Sequence, residues 1–207
     1  MGDSTHLRET RSMLEPPNAW VLERLRSPGQ HRWPTGALTA IVRKPSRKAS
    51  MSDWLICGID DSSGAREAAR WASAIAEQLQ ARLLLVHIAQ VHVVPGASGT
   101  PHGLDDLRES ALGEGRHLLA RVARETGCVG AEQRVEVGAA ARRLVAVAEE
   151  CEALMLVIGS RGRGALRAAL LGSVSLQLCR QAPCPVLVVP PNTASALRSL
   201  GPVTAKR

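Results

Sequence analysis

From Trp54 onward the chain alternates between short apolar runs and longer stretches with helical spacing. The runs at about 54–59, 82–88, 153–158 and 185–189 are apolar almost throughout. Such runs read as strands of a sheet covered on both faces. A shorter, half-polar run at 134–137 reads as a further strand, ended by Gly138. Between the first two runs, Ala68, Trp71, Ala72, Ile75, Ala76 and Leu79 recur at i, i+3, i+4 spacing, which predicts a helix over about 64–80. Further helices are predicted over about 105–126, 140–151 and 173–181, while the Gly- and Pro-containing stretch 89–104 reads as a mobile loop. Five strands alternating with four helices call for parallel βαβ units with right-handed crossovers. The expected class is α/β: a Rossmann-like open five-stranded parallel sheet with helices on both faces, in a single domain.

The flanks break this pattern. Residues 1–50 hold Pro16, Pro17, Pro28, Pro34 and Pro45 at irregular intervals and sustain no apolar period, so they read as a disordered or weakly ordered extension. Asp3, Glu9, Glu15 and Glu23 argue against an acid-poor transit peptide, and no apolar h-region of a signal peptide is present. Met51 is followed by Ser52-Asp53 and then directly by the first strand, which leaves open a native start at Met51. The expected division is a basic extension over 1–50, a globular domain over 51–190 and a basic tail over 191–207.

Charge follows the same division. The 207 residues carry a formal +7, which would ordinarily suggest nucleic acid or an anionic membrane surface. Residues 1–50 hold nine basic and four acidic residues, net +5, and residues 191–207 hold three basic and none acidic, net +3. The middle stretch is therefore at −1, and neither nucleic acid nor membrane is expected as a partner. There is no Phe or Tyr and only four Trp, so base stacking on aromatic platforms is disfavoured. Mean hydropathy is −0.03, and no apolar run reaches the roughly 18 residues of a spanning helix.

In an open parallel sheet, ligands sit beyond the carboxyl ends of the strands, where the winding reverses. The first strand runs out at Asp60. The fourth runs into Gly159-Ser-Arg-Gly162, and Gly172-Ser173 opens the last helix. Glycines permit close backbone approach, and a helix start offers N–H groups to an anion, with Ser173 expected as its N-cap. The domain contains no lysine, so a Walker A loop is excluded, and Gly162-Arg-Gly164-Ala-Leu is followed by Arg167, which breaks a dinucleotide fingerprint.

The residues resemble the universal stress protein family over about Met51 to Pro190. The similarity includes Gly58-Ile-Asp60-Asp-Ser62, Leu83-Leu-Leu-Val-His87, Ala182-Pro-Cys-Pro-Val-Leu-Val-Val-Pro190 and the spacing G-x2-G-x9-G-[ST] of the family's ATP-binding branch. The resemblance implies an ATP site. Gly58, Ile59, Asp60 and Ile88 would contact the nucleoside, and Ile158 and Gly159 would lie beneath ribose and phosphates. Arg161, Gly162, Gly172, Ser173, Val174 and Ser175 would line the triphosphate, with Mg²⁺ or Mn²⁺ on its oxygens. Arg163 and Arg167 read as solvated loop residues with phosphate contact as the alternative. Ala139-Ala140 departs from relatives that carry a proline at the start of the third helix. The resemblance also implies a cytoplasmic homodimer paired through the last strand.

Other chemistry is poorly represented. Cys57, Cys128, Cys151, Cys179 and Cys184 form no CxxC pair and read as reduced, mostly buried thiols. His87 ends a buried strand, and His92 and His102 fall in the predicted loop, where help in closing over a ligand is a minor alternative to a solvated role. No metal-ligand cluster or general base facing a γ-phosphate is evident. The expected function is a nucleotide-binding stress-response regulator with slow hydrolysis at most. The alternatives are an ATPase or ATP-dependent transferase, and a module that binds cyclic AMP.

Overall fold

The computed structural model describes residues 39–41, 53–91, 101–162 and 171–191. Its elements in chain order are β1 (Thr39–Ile41), β2 (Trp54–Ile59), α1 (Ser63–Leu79), β3 (Arg82–Ala89), α2 (Pro101–Thr126), β4 (Glu132–Val137), α3 (Ala140–Glu150), β5 (Met155–Gly159), α4 (Ser173–Gln181) and β6 (Val186–Val189). The sheet order is β1-β6-β5-β2-β3-β4. The five strands β2 to β6 are all parallel, as the alternation of elements predicts.

Side chains of successive strand residues point to opposite faces, and here both faces are buried. Leu55, Cys57, Ile59, Leu85, Met155, Val157, Leu187 and Val189 pack with α1 and α2 residues such as Trp71, Ile75, Leu119 and Val122. Ile56, Leu84, Val86, Ile88, Leu156, Ile158, Val186 and Val188 pack with Leu144 and Val147 of α3 and Leu178 of α4. That double burial explains why these strands read as continuous apolar runs. From β2 the chain winds outward to β3 and β4, then returns to β5 and β6. The winding therefore reverses between β2 and β5, which pair from Leu55↔Met155 to Gly58↔Ile158.

Three features differ from the sequence expectations. A sixth strand, β1, lies antiparallel on the outer edge of β6, with Thr39↔Val188, Ala40↔Leu187 and Ile41↔Val186. It falls within the stretch expected to be weakly ordered, and it covers the edge through which a homodimer was expected. Helix α2 begins at Pro101 and takes in part of the predicted loop; proline suits the first helical turn, where its missing N–H costs nothing. Strand β4 begins at Glu132, two polar residues early, because as an edge strand it is only partly buried.

Candidate functional site

The turn after β2 is built by hydrogen bonds of its own short polar side chains. Asp60 Oδ1 accepts from the Ser62 N–H at 3.0 Å and from the Ser62 hydroxyl. Ser62 Oγ in turn accepts from the Ala65 N–H at 3.1 Å, making Ser62 the N-cap of α1. Asp60 is thus one step removed from the cap. One oxygen of its carboxylate holds the turn, and the other lies against Gly162, where a Cβ would stand 2.6 Å from Oδ2. The Asp61 carboxylate accepts from Arg66 at 2.8 Å and from Arg121 of α2 at 2.7 Å. The hydrogen bond from Arg66, with help from Arg121, holds its carboxyl below the ordinary value despite some desolvation. Arg66 continues to Glu125 at 2.7 Å, so this chain of charges ties the β2–α1 turn to α2.

The turn after β5 is pinned from both sides. Ser160 N–H donates to Val189 O at 2.8 Å, and Gly172 N–H donates to Ser160 O at 2.7 Å, drawing the two ends of the glycine loop together. Ser175 is buried, and its hydroxyl lies 3.1 Å from both Ser160 O and Gly172 O. That geometry gives Ser175 a part in holding the loop. The N-cap of α4 is Gly172, not the expected Ser173. The chain is extended at Gly172, with φ −73° and ψ 164°, and turns helical only at Ser173, so the serine sits one position too late to cap. Among the described residues no side chain caps this helix. The N–H groups of its first turn, at Ser173, Val174 and Ser175, have no carbonyl four residues back within the helix to accept them.

The three glycines of the motif have different reasons to be glycine. A Cβ on Gly159 would lie 2.7 Å from Gly64 C, 2.8 Å from Gly64 O and 3.1 Å from Ala65 N, so β5 and the start of α1 touch backbone to backbone. A Cβ on Gly162 would meet the Asp60 carboxylate. At Gly172 the nearest atoms among the described residues would be Ser160 O at 3.4 Å and Ser175 Oγ at 3.5 Å, which is ordinary contact. Its φ is one any residue adopts. Among the described residues, neither packing nor backbone conformation calls for a glycine at 172.

These turns open into one cleft of about 1090 Å³. All twelve candidate residues line it: Gly58, Ile59, Asp60 and Ile88 on one side, Ile158, Gly159, Arg161 and Gly162 on the other, and Gly172, Ser173, Val174 and Ser175 at the start of α4. Gly58 also makes room for Leu144, whose Cδ1 would lie 3.2 Å from a Cβ there. The Nε of Arg161 is buried with no hydrogen-bond partner among the described residues. Arg163, Gly164, Arg167 and His92 lie outside the described residues, as does the side chain of His102.

Several lining residues escaped the sequence reading. His87 Nδ1–H donates to Ile59 O at 2.8 Å and so fixes the carbonyl at the end of β2. Asp61, His117, Arg121 and Arg124 form a polar wall contributed largely by α2. Gly64 does not line the cleft, but it lets Gly159 approach; the small residues Ser62-Ser63-Gly64 at the helix start were its only signal in the sequence. Among the described residues no group of three His, Cys, Asp or Glu could hold a metal ion, and no helix is long and apolar enough to cross a membrane.

The sequence profile of the universal stress protein family matches residues 51–190, the whole of the parallel sheet and both turns of the cleft. The chain belongs to the universal stress protein family. It is 32% identical over 148 residues to the universal stress protein YxiE of Bacillus subtilis, spanning 67% of this chain and 99% of that protein. It also matches a universal stress protein of Mycobacterium tuberculosis at 31% identity, where it spans only 46% of the relative's length. Among solved structures, the universal stress protein UspA of Lactobacillus plantarum superposes with a TM-score of 0.56 at 21% identity, covering 68% of this chain and 99% of that one, a likeness of fold. A universal stress protein crystallised in complex with cAMP superposes with a TM-score of 0.50 at 28% identity, covering 68% of this chain and 98% of that one.

Proposed function

We propose that this universal stress protein binds ATP in the cleft between the ends of β2 and β5 and that occupancy regulates its choice of partner. The observation that carries the reading is Gly172. Its φ does not require glycine, nor does its packing among the described residues, and it stands at the start of α4, where no described side chain caps the helix. A glycine there leaves the first-turn N–H groups of the helix open to close approach by an anion, and the helix dipole favours negative charge at that end. The buried Arg161 Nε, without a partner among the described residues, supports the same kind of ligand, because a buried donor without an acceptor costs free energy.

In this reading the N–H groups of Ser173 and Val174, with Arg161, hold phosphate oxygens, and Asp60 and Ile88 meet the nucleoside. Mg²⁺ or Mn²⁺ would arrive on the phosphate oxygens and offset their charge. Phosphoryl transfer needs an oriented base or water-positioning group at the γ-phosphate, and the reading assigns that task to no residue, so hydrolysis is slow. Titration of ATP into the full chain should show saturable binding at one site, with ADP release slow in single turnover. Rapid, metal-dependent turnover lost in Asp60→Ala would establish an ATPase instead.

The structural relative complexed with cAMP favours a second reading, in which the same cleft takes a cyclic nucleotide. Competition between ATP and cAMP, with and without Mg²⁺, separates the two. A triphosphate should gain affinity from the metal, whereas a cyclic monophosphate should be nearly indifferent to it.

A further inference from the structure

Arg66 stands near the start of α1, and its guanidinium folds back over the turn that leads out of β2. Nη1 donates to Asp61 O at 3.1 Å and to Ser62 O at 3.0 Å. Nη2 donates to Asp61 Oδ1 at 2.8 Å, and Nε to Glu125 Oε2 of α2 at 2.7 Å. One rigid fork thus holds two backbone carbonyls and a carboxylate of the turn together with a carboxylate of the neighbouring helix. Lysine's single ammonium does not match that set. The backbone shows the same engagement. The helical hydrogen bond from Arg66 N–H to Ser62 O is long, at 3.4 Å, and the shorter bond to that carbonyl comes from the Arg66 side chain.

Ion pairing explains little of this arrangement. The Asp61 and Glu125 side chains are 36% and 41% exposed, and pairs so placed are screened and contribute little stability. What the carbonyl bonds fix is direction. Asp61 O and Ser62 N–H belong to one planar, trans peptide unit, so they point to opposite sides of the chain. The oxygen is held by Arg66, and the N–H donates to Asp60 Oδ1 at 3.0 Å. The peptide therefore passes the placement of the guanidinium on to the Asp60 carboxylate, and its polarisation by the cation strengthens the second hydrogen bond. The other Asp60 oxygen lies against Gly162. Arg66 itself is not among the residues that line the cleft.

We infer that Arg66 is a positioning residue for the nucleoside end of the cleft, acting through the Asp61–Ser62 peptide on Asp60 without touching the ligand. The inference rests on the reading of the cleft as an ATP site with Asp60 at the nucleoside.

The test is a double-mutant cycle in the full chain: wild type, Arg66→Ala, Asp60→Ala and the double variant, with ATP affinity measured by calorimetric titration. Arg70→Ala is the control, since it removes the same charge one turn further along α1, where the ion pair is with Glu67 at 3.7 Å. Thermal unfolding checks that each variant is folded, and hydrogen exchange at the Ser62 amide reads the relay. Arg66→Ala should lose about tenfold in ATP affinity and exchange the Ser62 amide faster. It should add nothing to the loss caused by Asp60→Ala, because groups that act as a unit are not additive. Arg70→Ala should bind as the wild type does. Additive losses would overturn the inference by showing that Arg66 acts apart from Asp60, and so would unchanged affinity or an unchanged Ser62 amide in Arg66→Ala. If Arg66→Ala does not fold, Arg66→Lys carries the test. It keeps the charge without the fork, so the same loss is expected, and wild-type affinity would overturn the inference. A wild type that takes up no ATP, or an Asp60→Ala protein that binds it fully, would overturn the reading of the site and the inference with it; the other outcomes strike the inference alone.

Discussion

Alanine placed separately at Gly159 and Gly172 should divide one motif into a structural part and a ligand-binding part. At Gly159 the added methyl would stand 2.7 Å from Gly64 C, 2.8 Å from Gly64 O and 3.1 Å from Ala65 N. All three are backbone atoms at the start of α1, anchored by the Ser62 cap and by the packing of Ala65 and Ala68 in the core. They cannot swing aside as a side chain would, so β5 and α1 must separate by a few tenths of an ångström. Overpacking of this kind costs about 1–3 kcal/mol. At about 3 °C per kcal/mol for a chain of this size, the melting temperature should fall by roughly 3–9 °C. At Gly172 two small effects oppose each other. Alanine is a poorer N-cap than glycine by about 0.5–1 kcal/mol. At a φ of −73° it also removes a similar amount of unfolded-state freedom. The net change in stability should therefore stay within about 1 kcal/mol. Calorimetric unfolding without ligand, followed by titration of ATP, reads both effects. Gly159→Ala should melt early. Gly172→Ala should melt with the wild type yet lose at least about tenfold in ATP affinity. A Gly172→Ala protein that binds ATP as well as the wild type would refute the reasoning, and so would a Gly159→Ala protein of unchanged stability.

Three further outcomes follow from groups outside the cleft's glycines. Burial pushes the Glu136 carboxyl up, but hydrogen bonds from Arg143 and Arg134 outweigh it and leave the group below its ordinary value of 4.5. Its contribution to stability is complete above that value and is lost as pH falls through the lower folded-state value, so Glu136→Gln should flatten the acid limb of a stability-against-pH curve; an unchanged slope would show that the two arginines do not stabilise the carboxylate. Burial pushes the Cys57 thiol far up and the Cys184 thiol up to about 12, and Cys128 is buried as well. A disulfide reagent at pH 8 should therefore modify no more than the half-buried Cys151 and Cys179 in the native protein and all five thiols after denaturation. Trp71 is fully buried between α1 and the sheet, so Trp71→Ala should cost about 3–5 kcal/mol in denaturant unfolding.

The parts of the fold legible in the sequence were those whose pattern is set by burial. β2, β3, β5 and β6 are covered on both faces, which leaves no polar alternation to confuse a strand with a loop. α1 announced itself through Trp71, Ile75 and Leu79 on a single face. β1 left no such trace, because three residues are too few for a period and its place in the sheet depends on the β6 edge far along the chain. Candidate site residues were legible where strand ends and glycines coincide, as at Asp60 and Gly159. The α2 wall with His117, Arg121 and Arg124 was not, since a helix face carries no sign of which cleft it borders. Ser173 was misread as a cap for a related reason: serine is the commoner capping residue, and the extended conformation that makes Gly172 the cap shows only in the backbone.

Native mass spectrometry of the full chain as purified is the sharpest test of nucleotide binding in this cleft. The expected result is a population carrying one adenine nucleotide per chain, converted to a fully loaded form by added ATP and lost in Gly172→Ala. A wild-type protein that carries no nucleotide and takes up none at millimolar ATP would contradict it.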